Sequence, residues 1–475
     1  MSAIRHLLVT SYAQAIGNIR CELHRSAFDF YYYPHWQAST ESFPLSPHFG
    51  LTAEGFKWRA TYGFVENLLP EGDARMAVMK YSRLSADNLF AMGRLFGAEP
   101  AGAASFFFHS GTAALPAAQA PFLRKIDDEE LSERIQARHR CIPFAQWDGV
   151  WYQSLAGVQD KLQVIWHDGR LFLAGGSLTS THLLKPEPQR QRTPYLVANE
   201  HFCMSLAAAV GLDVPRVQIH RVPEAVLLIE RFDRTYAPGV DVLQPGKVGR
   251  THIIDACQAL DMPSWRKYEC LGGHDDRPPE RRYGVSFEKV FGLAPLFEDA
   301  SAAKMTIVRW ALFNLMIGNS DAHGKNISFR QSARGIMPAP FYDLVSVQVY
   351  GEKMLQEMAM AFGDQFLGHQ VGEADLLSFA AVAGITDGEL MHELAKMATA
   401  IKDLAPTLVN VADYTAPERE LVGSIATYAA MQAHRLIGAP PRLRHKLADL
   451  MVEMPQGLPR VDGWDDTPSA GLENS

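Results

Sequence analysis

Apolar residues along the chain change their spacing several times, and each change predicts an element. Residues 1–65 carry short aromatic and β-branched runs ("HLLVTSY", "FDFYYYPHW") bounded by Gly17, Pro34 and Pro44, which predicts strands. From "NLLPEGDARMAVMK" the period lengthens toward that of a helix, and "SADNLFAMGRLFGAEP" predicts a second helix, capped at Ser85 and stopped by Gly97 and Pro100. Between about 142 and 235 the pattern is mixed. "KLQVIWH" and "GRLFLAGG" predict a hairpin about Asp168-Gly169, "THLLK" a strand, "ANEHFCMSLAAAVGL" a helix and "AVLLIERF" a buried strand. Strands on both sides of one helix make an α+β lobe. Residues 261–287 hold Gly272, Gly273, Pro278 and Pro279 among charges and predict a long loop. From about 287 helical patterns dominate, as far as "RLRHKLADLMVEM". The closing stretch, 454–475, has too few apolar groups to offset the entropy of ordering and is expected to be disordered.

Composition narrows the class. A chain of 475 residues exceeds what one core usually serves, so several lobes are expected. The formal net charge is −8 with no long basic run, which argues against direct nucleic-acid binding. Five scattered cysteines without a CxxC pair fit a reduced, cytoplasmic protein without structural zinc. Apolar stretches are interrupted by charges, as Arg309 interrupts 305–317, so no membrane span and no secretory signal are expected.

Residues 301–317, "SAAKMTIVRWALFNLMI", are apolar on nearly every helical face and predict a helix buried in the helical lobe. Directly behind it, "GNSDAHGKN" packs Asn319, Asp321, His323, Gly324, Lys325 and Asn326 together, and "NISF" predicts a short strand. Then "PAPFYDLVSV" brings Tyr342 and Asp343, the latter expected at a strand end seventeen residues after Asn326. D-x-x-x-x-N followed by a second Asp is the arrangement of a phosphoryl-transfer site. There the first Asp orients or deprotonates the acceptor hydroxyl, and Asn and the second Asp hold Mg²⁺ through hard oxygens. Lys325 could neutralise the transferring group. The same heptad could equally serve as a plain turn, and a zinc-hydrolase reading of Asp321-x-His323 lacks the remaining ligands.

Upstream, "SLAGVQDK", Ser154 to Lys161, could cover phosphates, although it holds the single glycine Gly157. Lys185 ends a predicted strand, and fifteen residues later Glu200 lies near the start of a helix, a pairing that can hold an ammonium against phosphates or be an ordinary solvated pair. The strand ending at Glu230, Arg231 and Phe232 could offer backbone groups to adenine, or be a core strand alone. The pieces fall in the order phosphate loop, lysine, helix glutamate, connecting strand, catalytic Asp, Asn and metal Asp.

With "FVENLLPEGDAR", "LFAMGRLFGAEPAG", "SLAGVQDK", "THLLKPEP", "NEHFC", "ERFDR", "DACQAL", "KYE", "IGNSDAHGKN" and "YDLVSV", the chain resembles the HipA family of serine/threonine protein kinase toxins from about residue 60 to 363. The resemblance implies an α+β, two-lobed, protein-kinase-like fold with an N-terminal α/β subdomain and a mainly helical C-terminal lobe. It places the subdomain at 1–125, the nucleotide-binding lobe at 126–250 and the helical catalytic lobe at 251–453. It implies ATP and Mg²⁺ as cofactors. ATP contacts fall on Ala156, Gly157, Val158, Gln159, Asp160, Lys161, Lys185, Glu230, Arg231, Phe232, His323, Gly324, Lys325, Asn326, Tyr342 and Asp343. Asp321 is implied as the base, Asn326 and Asp343 as metal ligands, Glu200 as orienter of Lys185 and Ser154 as the autophosphorylation site. A phosphate there adds roughly −1.5 to −2 charges beside the nucleotide and silences the enzyme. A HipB-like helix-turn-helix antitoxin, operator DNA reached only through it, and a protein substrate such as an aminoacyl-tRNA synthetase are the implied partners. Three departures stand out: Asp160 where the family often has Glu, Ile253-Ile254 where a polar Gln-Glu pair is common, and a poor match over the N-terminal fifty or so residues and the tail after 455. A catalytically silent nucleotide-binding co-repressor and a small-molecule phosphotransferase share the same motifs and are the competing readings.

Overall fold

The computed structural model describes residues 4–438 apart from 12–13, 23–26, 53, 86–87, 89, 92–94, 96, 110–119, 153–156, 158, 190–191, 271–281, 352–353 and 411–412. Ser154, Ala156, Val158, the segment "RLRHKLADLMVEM" and the C-terminal tail therefore lie outside the described residues, as does part of "SADNLFAMGRLFGAEP". The chain divides into two compact units. One comprises Met1–Pro186, His220–Ser264 and Ser328–Ala339, the other Glu187–Ile219, Trp265–Ile327 and the chain from Pro340 onward.

In the first unit the early strands form as their alternation predicts. Ala27–Tyr32, Gln14–Glu22, Ile4–Ser11 and Ala104–His109 lie side by side in that order, every pair antiparallel. The expectation of strands up to residue 65 is corrected at Trp58–Glu66, which is a helix. Its β-prone aromatics are outweighed by a 3.6-residue spacing that buries Thr61, Phe64 and Val65 together on one side.

In a second, six-stranded sheet, Glu224–Glu230, His182–Pro186, Leu162–His167, Arg170–Gly175 and Phe122–Ile126 lie side by side in that order, each of these pairs antiparallel. The hairpin closes with His167 opposite Arg170, and Asp168 and Gly169 have φ of 48° and 71°. Two central residues at positive φ match the right-handed twist of the strands, which is why Asp-Gly stands here. Alternation then sorts the side chains. Leu162, Val164, Leu171 and Leu173 enter a core with Leu131 and Ile135 of the helix Asp128–Ala137, while Ile165 and Ala174 pack on the other face with Val242 and Val248.

Ile253–Asp255, Ser328–Ser332 and Gly335–Pro338 form a small antiparallel sheet in this unit. Ile254 is opposite Phe329 and both are buried, so the two isoleucines serve this unit's core. Asp255 and Gln258 remain polar because they form the capping box of the short helix Ala256–Ala259.

The second unit is built round the helix Ala300–Ile317, which contacts Asp387–Leu408 and Ala416–Leu436; those two in turn pack on Leu196–Ala209. Ile307, Val308, Leu312, Phe313, Leu315 and Ile317 have no exposed surface, each contributing about 1.5–3 kcal/mol by burial. Arg309 is tolerated on this apolar helix because Glu393 accepts from its Nε and Nη2, both at 2.8 Å. Helical structure dominates from 287, interrupted by the strands of 328–338 and by Glu357–Phe362 with Gln365–Leu367.

Candidate active site

The helix Ala300–Ile317 sets the position of the polar loop behind it. It starts where Asp299 accepts a hydrogen bond from Ala302 N at 3.0 Å and stops at Gly318, in the left-handed region at φ 68°. A side chain at 318 would strike Tyr428 at 2.6 Å and Gln348 at 2.9 Å, so only glycine turns the chain here. Gly318 O then accepts from the amides of Val347 and Gln348 at 3.0 and 3.1 Å.

The next residues are fixed by amides. Asn314 Oδ1, from inside the helix, accepts from Asn319 Nδ2 at 2.7 Å, and Asn319 Oδ1 accepts from Asp321 N at 3.2 Å. Ser320 donates to Leu355 O at 2.6 Å. His323 N donates to Asp321 O at 2.8 Å, and Asn326 Nδ2 donates to the same carbonyl at 3.1 Å. Asp321 and Asn326, five positions apart, are thus drawn to one turn, with Asp321 6% and Asn326 5% exposed. Gly324 is required for a different reason: a Cβ there would lie 2.7 Å from Val285 Cγ2.

Tyr342 joins the second carboxylate to this loop, its hydroxyl donating to Lys325 O at 2.6 Å. The expected strand at "PAPFYDLVSV" does not form. Asp343 sits in the left-handed region at φ 57°, where an extended chain cannot continue, and Phe341 N donates to Asp213 O at 2.8 Å. Asp321, His323, Lys325, Asn326, Tyr342 and Asp343 all belong to the second unit, as does Glu200, buried on the helix Leu196–Ala209. That helix is capped from outside its own turn by Glu187, whose carboxylate accepts from Leu196 N at 3.0 Å and Val197 N at 2.9 Å.

The remaining predicted residues belong to the first unit. Gly157 has φ 112°, pairs with Pro70, and lies so close to Lys161 that a Cβ would be 2.5 Å from Nζ. This is the one position of "SLAGVQDK" whose glycine the geometry demands. Asp160 pairs with buried Arg138 at 3.4 Å, and Gln159 stands in the bend between. Lys185, 4% exposed, is opposite Leu227 across the strand pair.

At the end of Glu224–Glu230, Arg231 N donates to Thr181 O at 2.9 Å and Arg231 O accepts from Arg234 N at 3.2 Å, so both its backbone groups are engaged within the unit. Glu230 accepts from Tyr236 at 2.9 Å, and Phe232 follows in the turn. The side chains of Arg231, Asp233 and Arg234 form a buried ionic network with Glu99.

One contact escaped the sequence reading. Tyr268, in the middle of "KYE", donates its hydroxyl to Asp321 Oδ1 and sets its ring edge-on to His323, with centroids 5.0 Å apart. The triplet was visible as a motif, but no spacing links position 268 to position 321.

The chain matches the HipA-like C-terminal domain over residues 153–406 and the HipA N-terminal domain over residues 7–107, which corrects the expectation that the first fifty or so residues match the family poorly. It is 35% identical to the serine/threonine-protein kinase toxin HipA of Shewanella oneidensis, over 90% of this chain and 95% of that protein. A Sinorhizobium fredii relative named as a kinase is 31% identical over 75% of this chain and 80% of its own length. Among solved structures, HipA in the Shewanella oneidensis complex of HipA, HipB and operator DNA superposes with a TM-score of 0.78 at 34% identity, covering 93% of this chain and 99% of that one. With its mixed helices and sheets following the HipA structure over nearly its whole length, the chain belongs to the HipA family and is a serine/threonine-protein kinase.

Proposed function

We propose that the protein transfers the γ-phosphoryl group of ATP, with Mg²⁺, to a serine or threonine of another protein, and that it acts as the toxin of a HipA–HipB-like pair. The observation that carries this reading is the loop 318–326, in which a buried helix, Gly318 and two asparagines bring Asp321 and Asn326 into one turn.

The donor set suits Mg²⁺. The amide nitrogen of Asn326 is committed to Asp321 O, so its oxygen is the end that can ligate, and Asp343 adds a carboxylate. Two hard oxygen donors suit an ion that takes its other ligands from phosphates and water. Among the described residues no group of three or more His, Cys, Asp or Glu side chains could hold a metal by itself. When bound, Mg·ATP supplies the phosphoryl group and the charge neutralisation of its oxygens.

Asp321 orients the acceptor hydroxyl and takes its proton as the oxygen bonds to the γ-phosphorus and the bridging bond to ADP breaks. Lys325 offsets the charge of the transferring group. Lys185 and the loop from Ala156 to Lys161 take the phosphates, and the segment Glu230–Phe232 takes the adenine. Ser154 is the site of self-phosphorylation.

The relative solved with HipB and operator DNA supports a HipB-like partner, with DNA reached through it. Among the described residues no helix is long and apolar enough to cross a membrane, and a cytoplasmic protein substrate of the translation apparatus, such as an aminoacyl-tRNA synthetase, completes the reading.

The test is incubation of the protein and its Asp321→Asn variant with Mg·ATP, followed by intact mass and peptide mapping. One phosphate at Ser154 in the wild type alone is the expected result. Bound ATP with no phosphate on either protein would favour the silent co-repressor, and transfer to small hydroxylated compounds in preference to protein would favour the small-molecule phosphotransferase.

A further inference from the structure

Lys267, Tyr268 and Glu269 form a short brace in the second unit. On one side Glu269 is locked to the strand Glu357–Phe362: its amide donates to Ala359 O at 2.8 Å, and its carboxylate accepts from Ala361 N at 2.8 Å. On the other side Lys267 O accepts from Gly324 N at 2.9 Å, inside the polar loop. The residue between them reaches Asp321 itself, with its hydroxyl on Oδ1 and its ring edge against His323 at an interplanar angle of 89°.

A phenol on a rigid ring, anchored on both sides through its own backbone neighbours, is a fixed point. An aspartate side chain turns about two bonds, so fixing one of its oxygens fixes where the other points. We propose that Tyr268 is the positioning residue of the phosphoryl-transfer step. It holds Oδ1 of Asp321 so that Oδ2 faces the acceptor hydroxyl. This inference rests on the reading of Asp321 as the group that orients and deprotonates the acceptor.

Two effects of the phenol oppose each other. Donation to a carboxylate makes it a weaker base, which by itself slows proton transfer. Fixing the carboxylate places the nucleophile, which speeds the reaction. In phosphoryl transfer through a loose transition state catalysis is mostly positioning and charge stabilisation, so orientation outweighs basicity. Removing the hydroxyl therefore slows turnover.

The experiment uses the full chain as wild type, Tyr268→Phe, Asp321→Asn and the double variant. ADP formation from Mg·ATP is followed with dephosphorylated casein as acceptor, and binding of a non-hydrolysable ATP analogue is measured alongside. Tyr268→Phe keeps the ring and its contact with His323. It is expected to lower kcat roughly ten- to a hundredfold, with the KM for ATP and analogue binding unchanged. The double variant should be no slower than Asp321→Asn alone, because the phenol acts through that carboxylate. An unchanged or raised kcat in Tyr268→Phe, with Asp321→Asn inactive, overturns the positioning role and leaves the base assignment standing. Weakened analogue binding in Tyr268→Phe also overturns it, since the phenol would then be a support of the fold. Undiminished turnover in Asp321→Asn, or no ADP from the wild type, removes the base assignment and the positioning role with it.

Discussion

"ERFDR" and "GNSDAHGKN" look alike in the sequence, since each places opposite charges within a few residues behind a buried element, yet they are held in opposite ways. In the first unit, Asp233 accepts from Arg231 Nε at 3.0 Å, Arg231 Nη2 at 2.8 Å, Arg234 Nη1 at 2.7 Å and Gly102 N at 2.8 Å. Arg234 also reaches Glu99 at 3.2 Å, and Glu99 accepts from Ser180. Burial alone would raise both carboxyl groups, but the guanidiniums of Arg231 and Arg234 hold them below the ordinary carboxylate range. These charges fix one another, and with them the backbone at Pro100 and Gly102. In the second unit, asparagine amides, backbone groups, the Ser320 hydroxyl and phenols contribute to setting the loop's course. Charge density alone therefore does not mark a site: in the first unit the charges bind each other and build the fold, while in the second neutral groups help to hold the loop that carries Asp321 and Lys325.

The comparison is sharpened by substitutions on each side. The largest effect is expected at Asp321→Asn, a fall of roughly 10²- to 10⁴-fold in phosphate transfer with ATP binding and the unfolding midpoint retained, read by turnover and denaturant titration. Asp233→Ala should do the reverse. It leaves two buried guanidiniums without their shared carboxylate, so stability should fall by about 3–5 kcal/mol in urea unfolding. A loss below about 1 kcal/mol would break the claim that this network builds the fold.

Next is the response to acid. Burial first of all lowers the imidazole of His252 to about 4, against about 6.5 when unfolded. Its neutral form therefore favours folding above pH 6.5, and that stability is lost as pH falls through the window from about 6.5 to 4, on the order of 2 kcal/mol by pH 5. His252→Gln should flatten the pH dependence of unfolding there. The depressed carboxyls of Asp233 and Glu99 contribute above their unfolded values near 4, and their share is lost only below that. The smallest effect is expected at Glu187→Ala, where the helix Leu196–Ala209 loses the acceptor of two N-terminal amides, about 1 kcal/mol by thermal unfolding.

The buried helix before the loop and the Asp-Gly hairpin were legible because each rests on local chemistry: a run that is apolar on nearly every helical face, and two turn residues suited to positive φ. What was not legible depends on partners distant in sequence. "PAPFYDLVSV" alternates like a strand, yet Phe341 and Tyr342 bond to Asp213 and Lys325, and the left-handed turn at Asp343 has no signal of its own. The helix Trp58–Glu66 is rich in β-favouring residues whose preference yields to the face it buries. Tyr268 and Asp321 are fifty-three residues apart, and only the folded chain brings phenol and carboxylate together.

Gly318 turns against Tyr428, just past the middle of the helix Ala416–Leu436. Translation places these two surfaces more than a hundred residues apart, so the turn that presents Asp321 lacks its backing until residue 428 has left the ribosome. A premature stop anywhere before that helix is expected to leave the phosphoryl-transfer motif without this support. The backing of that turn is thus supplied by the helix Ala416–Leu436, the last to be synthesised among the described residues.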